Sequence, residues 1–267
     1  MVFGFVSSLS LFDHVFNSSQ EFSVLVEILR QSLFTSLFTG LIYCALEPFV
    51  RRWWSEYLIS WNRLLAGDFR DPMVGRDILI GGAASCICFL ITVVVRFVAE
   101  FGLDGKRLFQ TAIIWEATDS FLDGMTVFVG ILGFVLTFVL SFLAIFLILY
   151  FFTRNKKVTI ILSGILLTAY FAFSLGAADY MFVWVSNAIL VSFMMFVLNR
   201  FGIVALASAL FFFRSIGGWL PLSFDSASIL FPQTVATLVI YFAIMGYAAY
   251  NSIGGAKMFG GKSWLGE

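Results

Sequence analysis

The chain has 267 residues, of which 61% are hydrophobic and 12% charged, with 34 Phe and a formal net charge of zero. Soluble domains carry roughly 45–50% apolar and about 25% charged residues, so the polar shell here is too thin to cover a water-soluble fold of this size. Zero net charge also excludes the basic footprint of a nucleic-acid binder, and lipid remains as the solvent.

Residues 1–21 come first. Val2-Phe3-Gly4-Phe5-Val6 through Leu11-Phe12 is apolar but too short to span, and it lacks the basic start and small-residue cleavage site of a secretory signal. It reads as a stub, the tail of an upstream transmembrane helix. A single membrane domain, 22–267, is expected to follow. Crossing a bilayer takes about 20 mostly apolar residues, and seven segments qualify: Phe22–Glu47, Asp77–Phe97, Met125–Phe152, Val158–Ala178, Tyr180–Leu198, Gly202–Ile216 and Pro232–Asn251. The fifth and sixth are short, and the sixth either spans or re-enters. Unpaired backbone groups are too costly in hydrocarbon for anything but helices or a closed barrel, and the alternation of barrel strands is missing. The expected fold class is therefore all-α: a polytopic bundle of about seven transmembrane helices plus an interfacial amphipathic helix.

The interfacial helix is expected within 48–76. This segment mixes Trp53, Trp54, Tyr57 and Trp61 with Arg51, Arg52, Arg63, Arg70, Asp71, Arg76 and Asp77. Trp and Tyr favour the headgroup level and Arg snorkels toward phosphate. Trp53, Tyr57, Trp61 and Leu64 fall on one stripe, as in a helix lying in the interface. Residues 101–124 form the counterpart on the other side.

Basic residues set the orientation. Arg51, Arg52, Arg63, Arg70, Arg76, Arg154, Lys156, Lys157, Arg200, Lys257 and Lys262 all fall on one side of seven alternating helices, against Lys106 and Arg107 on the other. This places the N-terminus outside and the C-terminus in the cytoplasm.

Few residues offer chemistry. Glu116, Asp119 and Asp123, at i, i+3 and i+7, share one helix face. Clustered carboxylates suit a hard cation, but no Gly-turn loop of calcium-site type accompanies them, which favours a solvated acidic face or pairing with Lys106 and Arg107. Glu27 with Arg30, and Arg96 with Glu100, stand one turn apart and can pair. Arg214, between Phe211-Phe212-Phe213 and Gly217-Gly218, can pair with Asp225 at the outer interface. Small residues that let helices approach are Gly81 and Ser85, Gly130 and Gly133, and Gly246 with Ala243 and Ala249. Cys86 and Cys88 point to nearly opposite helix faces and, with Cys44, read as apolar fillers.

His14 is the only histidine, so a histidine relay or metal centre is not expected. No phosphate-binding or nucleophile-elbow motif is present, and Asp68-Phe69 is followed by Arg70 rather than Gly. The sequence offers no catalytic motif and no cofactor site.

One stretch is more specific. Ala45-Leu46-Glu47-Pro48-Phe49-Val50-Arg51-Arg52, Leu58-Ile59-Ser60-Trp61, Arg63-Leu64-Leu65-Ala66-Gly67, Arg70-Asp71-Pro72 and Val74-Gly75-Arg76-Asp77 resemble the C-terminal multi-pass membrane region of large acidobacterial serine/threonine protein kinases. Arg200-Phe201-Gly202, Pro221-Leu222 and the ending Met258-Phe259-Gly260 are similar to that family's last helices and tail. The resemblance covers roughly residues 13–267. It implies a cytoplasmic kinase domain N-terminal to the membrane region, and another hydrophobic helix just before residue 13. None of the kinase catalytic residues has a counterpart in this sequence. The expected role is sensing or anchoring, read from the dense Arg/Trp/Asp segment between Pro48 and Asp77, with the lipid bilayer, a kinase domain in cis or in trans, and a second copy of the chain as partners. A permease or transporter subunit is the other reading, resting on the short fifth and sixth segments and the Gly217-Gly218 to Pro221 break.

Overall fold

The structure, a computed structural model, describes residues 18–53, 58–102, 121–174, 181–216, 223–228 and 230–253. Among these residues lie eight α-helices: α1 (Ser18–Trp53), α2 (Ile59–Leu65), α3 (Pro72–Gly102), α4 (Phe121–Thr153), α5 (Lys156–Ser174), α6 (Met181–Phe201), α7 (Ile203–Arg214) and α8 (Phe231–Ser252). Six of them are long and apolar enough to cross a bilayer, and α7 is a shorter apolar helix. The chain is an all-α membrane bundle.

Burial shows the same solvent independently of hydropathy. On α8 the inward residues are Gln233, Thr234, Thr237, Tyr241, Ala248 and Asn251, whereas Val235, Val239 and Phe242 face outward. On α5, Thr159, Ser163 and Thr168 are inside while Ile161, Ile165, Leu166 and Phe173 are exposed. In water both helices would bury the opposite face. Hydrocarbon allows this arrangement if the buried hydroxyls find acceptors. Ser163 donates to the Thr159 carbonyl at 2.8 Å, Thr168 to Gly164 at 2.8 Å and Ser215 to Phe211 at 2.7 Å. These bonds close within one helix. Thr39–Thr137 (3.0 Å) and Thr153–Thr159 (2.7 Å) join α1 to α4 and α4 to α5.

The apolar core runs along α4. Ile131, Val135, Val139, Phe142, Leu143 and Phe146 form its buried face, and Leu198, Ile203, Phe211 and Tyr241 from α6, α7 and α8 pack there. Above Val135 the rings of Phe128, Phe211, Phe212 and Tyr241 interlock with centroids 5.3–6.2 Å apart. Such edge-to-face pairs add to the area they bury.

α3 reaches α7 and α8 through glycines. A Cβ on Gly81 would stand 2.7 Å from the Ala205 carbonyl oxygen and 2.9 Å from the Ala209 nitrogen, and one on Gly75 would stand 2.6 Å from the Ala248 carbonyl oxygen. These contacts orient the helices. The start of α3 lies beside the end of α8, and α3 and α7 rise side by side from the same face of the bundle. Short joints fix the other helices. Arg154 and Asn155 alone connect α4 to α5, with Arg154 at φ 50° and the Asn155 side chain capping the Lys157 N–H at 3.0 Å. Gly202 alone, at φ 90°, joins α6 to α7. Arg63, Arg70, Arg76, Arg154, Lys156, Lys157 and Arg200 consequently gather at one end of the bundle, the basic end. Lys257 and Lys262 lie outside the described residues.

Several boundaries differ from the sequence expectation. α1 continues through Pro48 to Trp53, because a proline removes one backbone bond without necessarily ending a helix that neighbours support. α3 begins at Pro72, with the Asp71 carboxylate accepting the Met73 N–H at 2.8 Å, an N-cap followed by proline at the first helical position. Of the stripe Trp53, Tyr57, Trp61 and Leu64, Tyr57 lies outside the described residues, Trp53 closes the described part of α1, and Trp61 and Leu64 belong to α2, which has seven residues. It stops in a Schellman motif: Gly67, at φ 87°, donates to the Leu64 carbonyl at 3.2 Å and Asp68 to Arg63 at 2.9 Å. Gly246, expected at a helix contact, has nothing within 4 Å of its would-be Cβ.

Because a methyl at Gly81 meets helix backbone, Gly81→Ala is expected to destabilise the bundle by about 1–3 kcal/mol. Gly40→Ala on α1, where the space is open, is expected to be neutral or to stabilise slightly through helix propensity. Thermal unfolding of the two variants in detergent compares them directly. Equal midpoints would remove the close approach from the account.

Candidate functional site

The densest polar chemistry lies at the basic end, where the chain between α1 and α3 folds back onto the helices. α2 carries Ser60 and Arg63 toward the start of α3. The Arg63 guanidinium pairs with Asp71 across the turn that the Schellman motif creates. The Ser60 hydroxyl donates to Asp77 Oδ2. Arg76 donates to Asp77 Oδ1 through Nε at 3.1 Å and Nη2 at 3.0 Å. The Asp77 side chain is 2% exposed and that of Arg76 is 53% exposed, so a buried carboxylate is neutralised by a cation that still reaches solvent. On the far side, the Asn251 amide of α8 donates to the Phe69 carbonyl at 3.3 Å. The segment is thus tied to its own helix and, across 182 residues of sequence, to the last one.

A cavity of about 110 Å³ opens between this segment and the α6–α7 joint. Its lining includes Ser60, Arg76 and Asp77 on one side and Asn199, Arg200 and Gly202 on the other. Gly202 shapes the second wall, because its positive φ lets the chain reverse in one residue, which a side chain would resist.

The residues expected at an interface divide accordingly. Arg63, Asp71, Arg76 and Asp77 form two pairs. Trp61 is half-buried, with its ring 6.5 Å from that of Tyr43 on α1. Arg52 and Arg70 are exposed. Arg51 and Trp53 occupy the last turn of α1, and Trp54 lies outside the described residues.

The other candidates are scattered. Glu116 and Asp119 lie outside the described residues, and Asp123 sits in the first turn of α4. Glu27 and Arg30 follow one another by one turn on α1, as Arg96 and Glu100 do on α3. Arg214 and Asp225 are not brought together. The guanidinium lies over the rings of Phe134 and Phe171, 5.8 and 5.7 Å from their centroids, while the Asp225 carboxylate accepts the Ala227 N–H at 3.0 Å within its own turn. Desolvated aromatic faces stabilise a guanidinium inside the bundle.

A second polar feature was not anticipated. Both amide atoms of Gln233 and the hydroxyl of Thr237 are buried on α8 without a hydrogen-bond partner among the described residues. Each such group costs of order 1–3 kcal/mol. Sequence reading passes over them because Gln and Thr carry no charge to mark their depth.

Removing the Asp77 carboxylate orphans Ser60 and Arg76 together. Asp77→Ala is expected to cost about 1–3 kcal/mol and to speed tryptic cleavage after Arg70 in detergent-solubilised protein. Arg63→Ala breaks a pair that is 40% and 18% exposed, and its cost should stay below about 1 kcal/mol after solvent screening. Equal cleavage rates in both variants would deny Asp77 its pinning role.

In comparisons with known proteins, the chain matches no protein-family model, no curated protein and no solved structure.

Proposed function

We propose that this chain is a non-catalytic integral membrane module of a bacterial serine/threonine-kinase-type signalling protein. It would sense or anchor from the cytoplasmic (inner) membrane, with its basic end toward the cytoplasm. One observation carries the reading: residues 58–77 are a folded platform rather than a connector. Helices in a bundle need only about 2–8 residues to join them. This segment instead builds a helix, a capped turn, two ion pairs and a bond to α8. A rigid surface studded with Arg52 and Arg70 suits docking of a kinase domain, in cis or in trans, or of a second copy of the chain. The resemblance of residues 45–77 to the kinase-linked membrane region supports the same partner.

A permease or transporter subunit is the second reading, and one observation favours it. The unpaired Gln233 and Thr237 lie within a candidate membrane span, and polar groups at membrane depth mark pathways in transporters. α7, with 12 residues, also covers only about 18 Å by helical rise.

An antibody against the tail 254–267 distinguishes the two in the source membrane. A band much larger than 29.9 kDa is expected for a kinase-linked module, and a band at that mass would overturn the linkage in cis. Changing Arg51, Arg52, Arg63 and Arg70 together to Ala is expected to weaken assembly with the kinase partner. Unchanged assembly and signalling would sink the platform reading. A solute flux in proteoliposomes that disappears in Gln233→Leu would put transport in its place.

A further inference from the structure

The cavity at the basic end carries an excess of positive charge. Arg76 and Arg200 line it together with a single carboxylate, Asp77. That carboxylate is already engaged: Ser60 takes one oxygen, and Arg76 the other. Asp77 therefore orients the Arg76 guanidinium through Nε and Nη2 and makes no bond to its Nη1. Arg200, at the end of α6, is exposed and has no ion-pair partner among the described residues. Two guanidiniums across a small polar void, one of them pre-oriented, form a receptor for a tetrahedral oxyanion, because the planar fork matches phosphate oxygens.

Size narrows the ligand. One water needs at least about 10–15 Å³ of such volume, so about 110 Å³ takes a group of several heavy atoms. Pockets for nucleotide- or drug-sized molecules run to roughly 300–1,000 Å³, which excludes them here. Position narrows it further. The void opens where α3 and α6 leave their apolar spans, beside the exposed Ile59, Leu65 and Phe69, which is the depth of a lipid phosphate. We propose that this cavity binds a phosphate group, donated either by a phospholipid headgroup or by free inorganic phosphate, between Arg200 and Arg76. The site stands on its own geometry and does not depend on which partner meets the platform.

The test uses the full chain in maltoside micelles and reads the thermal midpoint, since a ligand that binds only the folded state raises it. Phosphatidylglycerol is titrated against diacylglycerol, which has the same chains without phosphate. Inorganic phosphate is titrated against chloride at equal ionic strength. Stabilisation by phosphatidylglycerol alone assigns the site to lipid, and stabilisation by both assigns it to phosphate itself. Arg200→Gln is expected to weaken either effect roughly ten-fold or more. Arg200→Lys should keep part of it, and Lys157→Gln, at the same end but away from the cavity, should leave it intact. In diacylglycerol the Arg200→Gln midpoint should match the parent, showing that the fold is unharmed. No stabilisation by either probe would overturn the proposal, as would an undiminished effect in Arg200→Gln or an equal loss in Lys157→Gln.

Discussion

The rest of the bundle depends on the close approach of α3 to α7 and α8. Gly75 and Gly81 are places where helix backbone meets helix backbone, and at Gly82 the Met245 methyl occupies the space a side chain would take. Lipid tails are as apolar as leucine, so hydrophobicity alone does not drive helices together in a membrane, and close packing of small residues must. α7 shows the consequence. With 12 residues it is too short to hold itself across a bilayer, yet Ala205 and Ala209 are fully buried because α3 lies directly against them. Asp77 falls between two of these glycine contacts. Its carboxylate is therefore presented to Ser60 and to the cavity by backbone packing rather than by a loop.

Inside that frame the polar groups divide into those satisfied locally and those satisfied at a distance. Most buried hydroxyls turn back on their own helix, a bond that needs no neighbour and survives any helix displacement. Bonds between elements include Asn251 to Phe69, Ser60 to Asp77 and Thr153 to Thr159 at the basic end, and Thr39 to Thr137 farther along the bundle. Water and headgroups at a membrane surface lower the cost of breaking such bonds. Away from water the same polar groups are costly to leave unpaired, and Gln233 and Thr237 are buried without a hydrogen-bond partner among the described residues.

Hydropathy and charge asymmetry made the bundle legible, because a span of about 20 apolar residues and a one-sided distribution of arginines are properties of sequence alone. The chemistry of the basic end was half legible. Arg63, Asp71, Arg76 and Asp77 stood out as charges beside a membrane, but nothing local says that Arg63 takes Asp71 or that Asp77 sinks among the helices. Ser60 and Asn251 are silent in sequence because their partners are set by tertiary contact. The indole-and-tyrosine stripe has helical spacing, and Trp61 and Leu64 lie on one helix that Ala66-Gly67 ends, while Tyr57 lies outside the described residues. Arg214 was matched to Asp225 by charge, whereas the structure gives it two phenyl rings, and Gly246 was read as a contact where there is open space. Glycine shows where a helix can be approached and not whether it is, which separates Gly81 from Gly246.

α8 joins the two polar features of the molecule. Asn251 holds the platform at one end, and Gln233 lies about 27 Å away along the same helix by its rise. Its inward face carries Gln233, Thr234, Thr237, Tyr241 and Asn251, with Ile244, Met245 and Ala248 between the two ends. Energetic coupling between two sites requires an element with two arrangements that both sites bias. α8 spans the distance between the two features as one continuous helix. At the basic end the Gly75 contact with the Ala248 carbonyl holds its backbone against α3, and Asn251 ties it to Phe69, two residues before the Asp71 that pairs with Arg63.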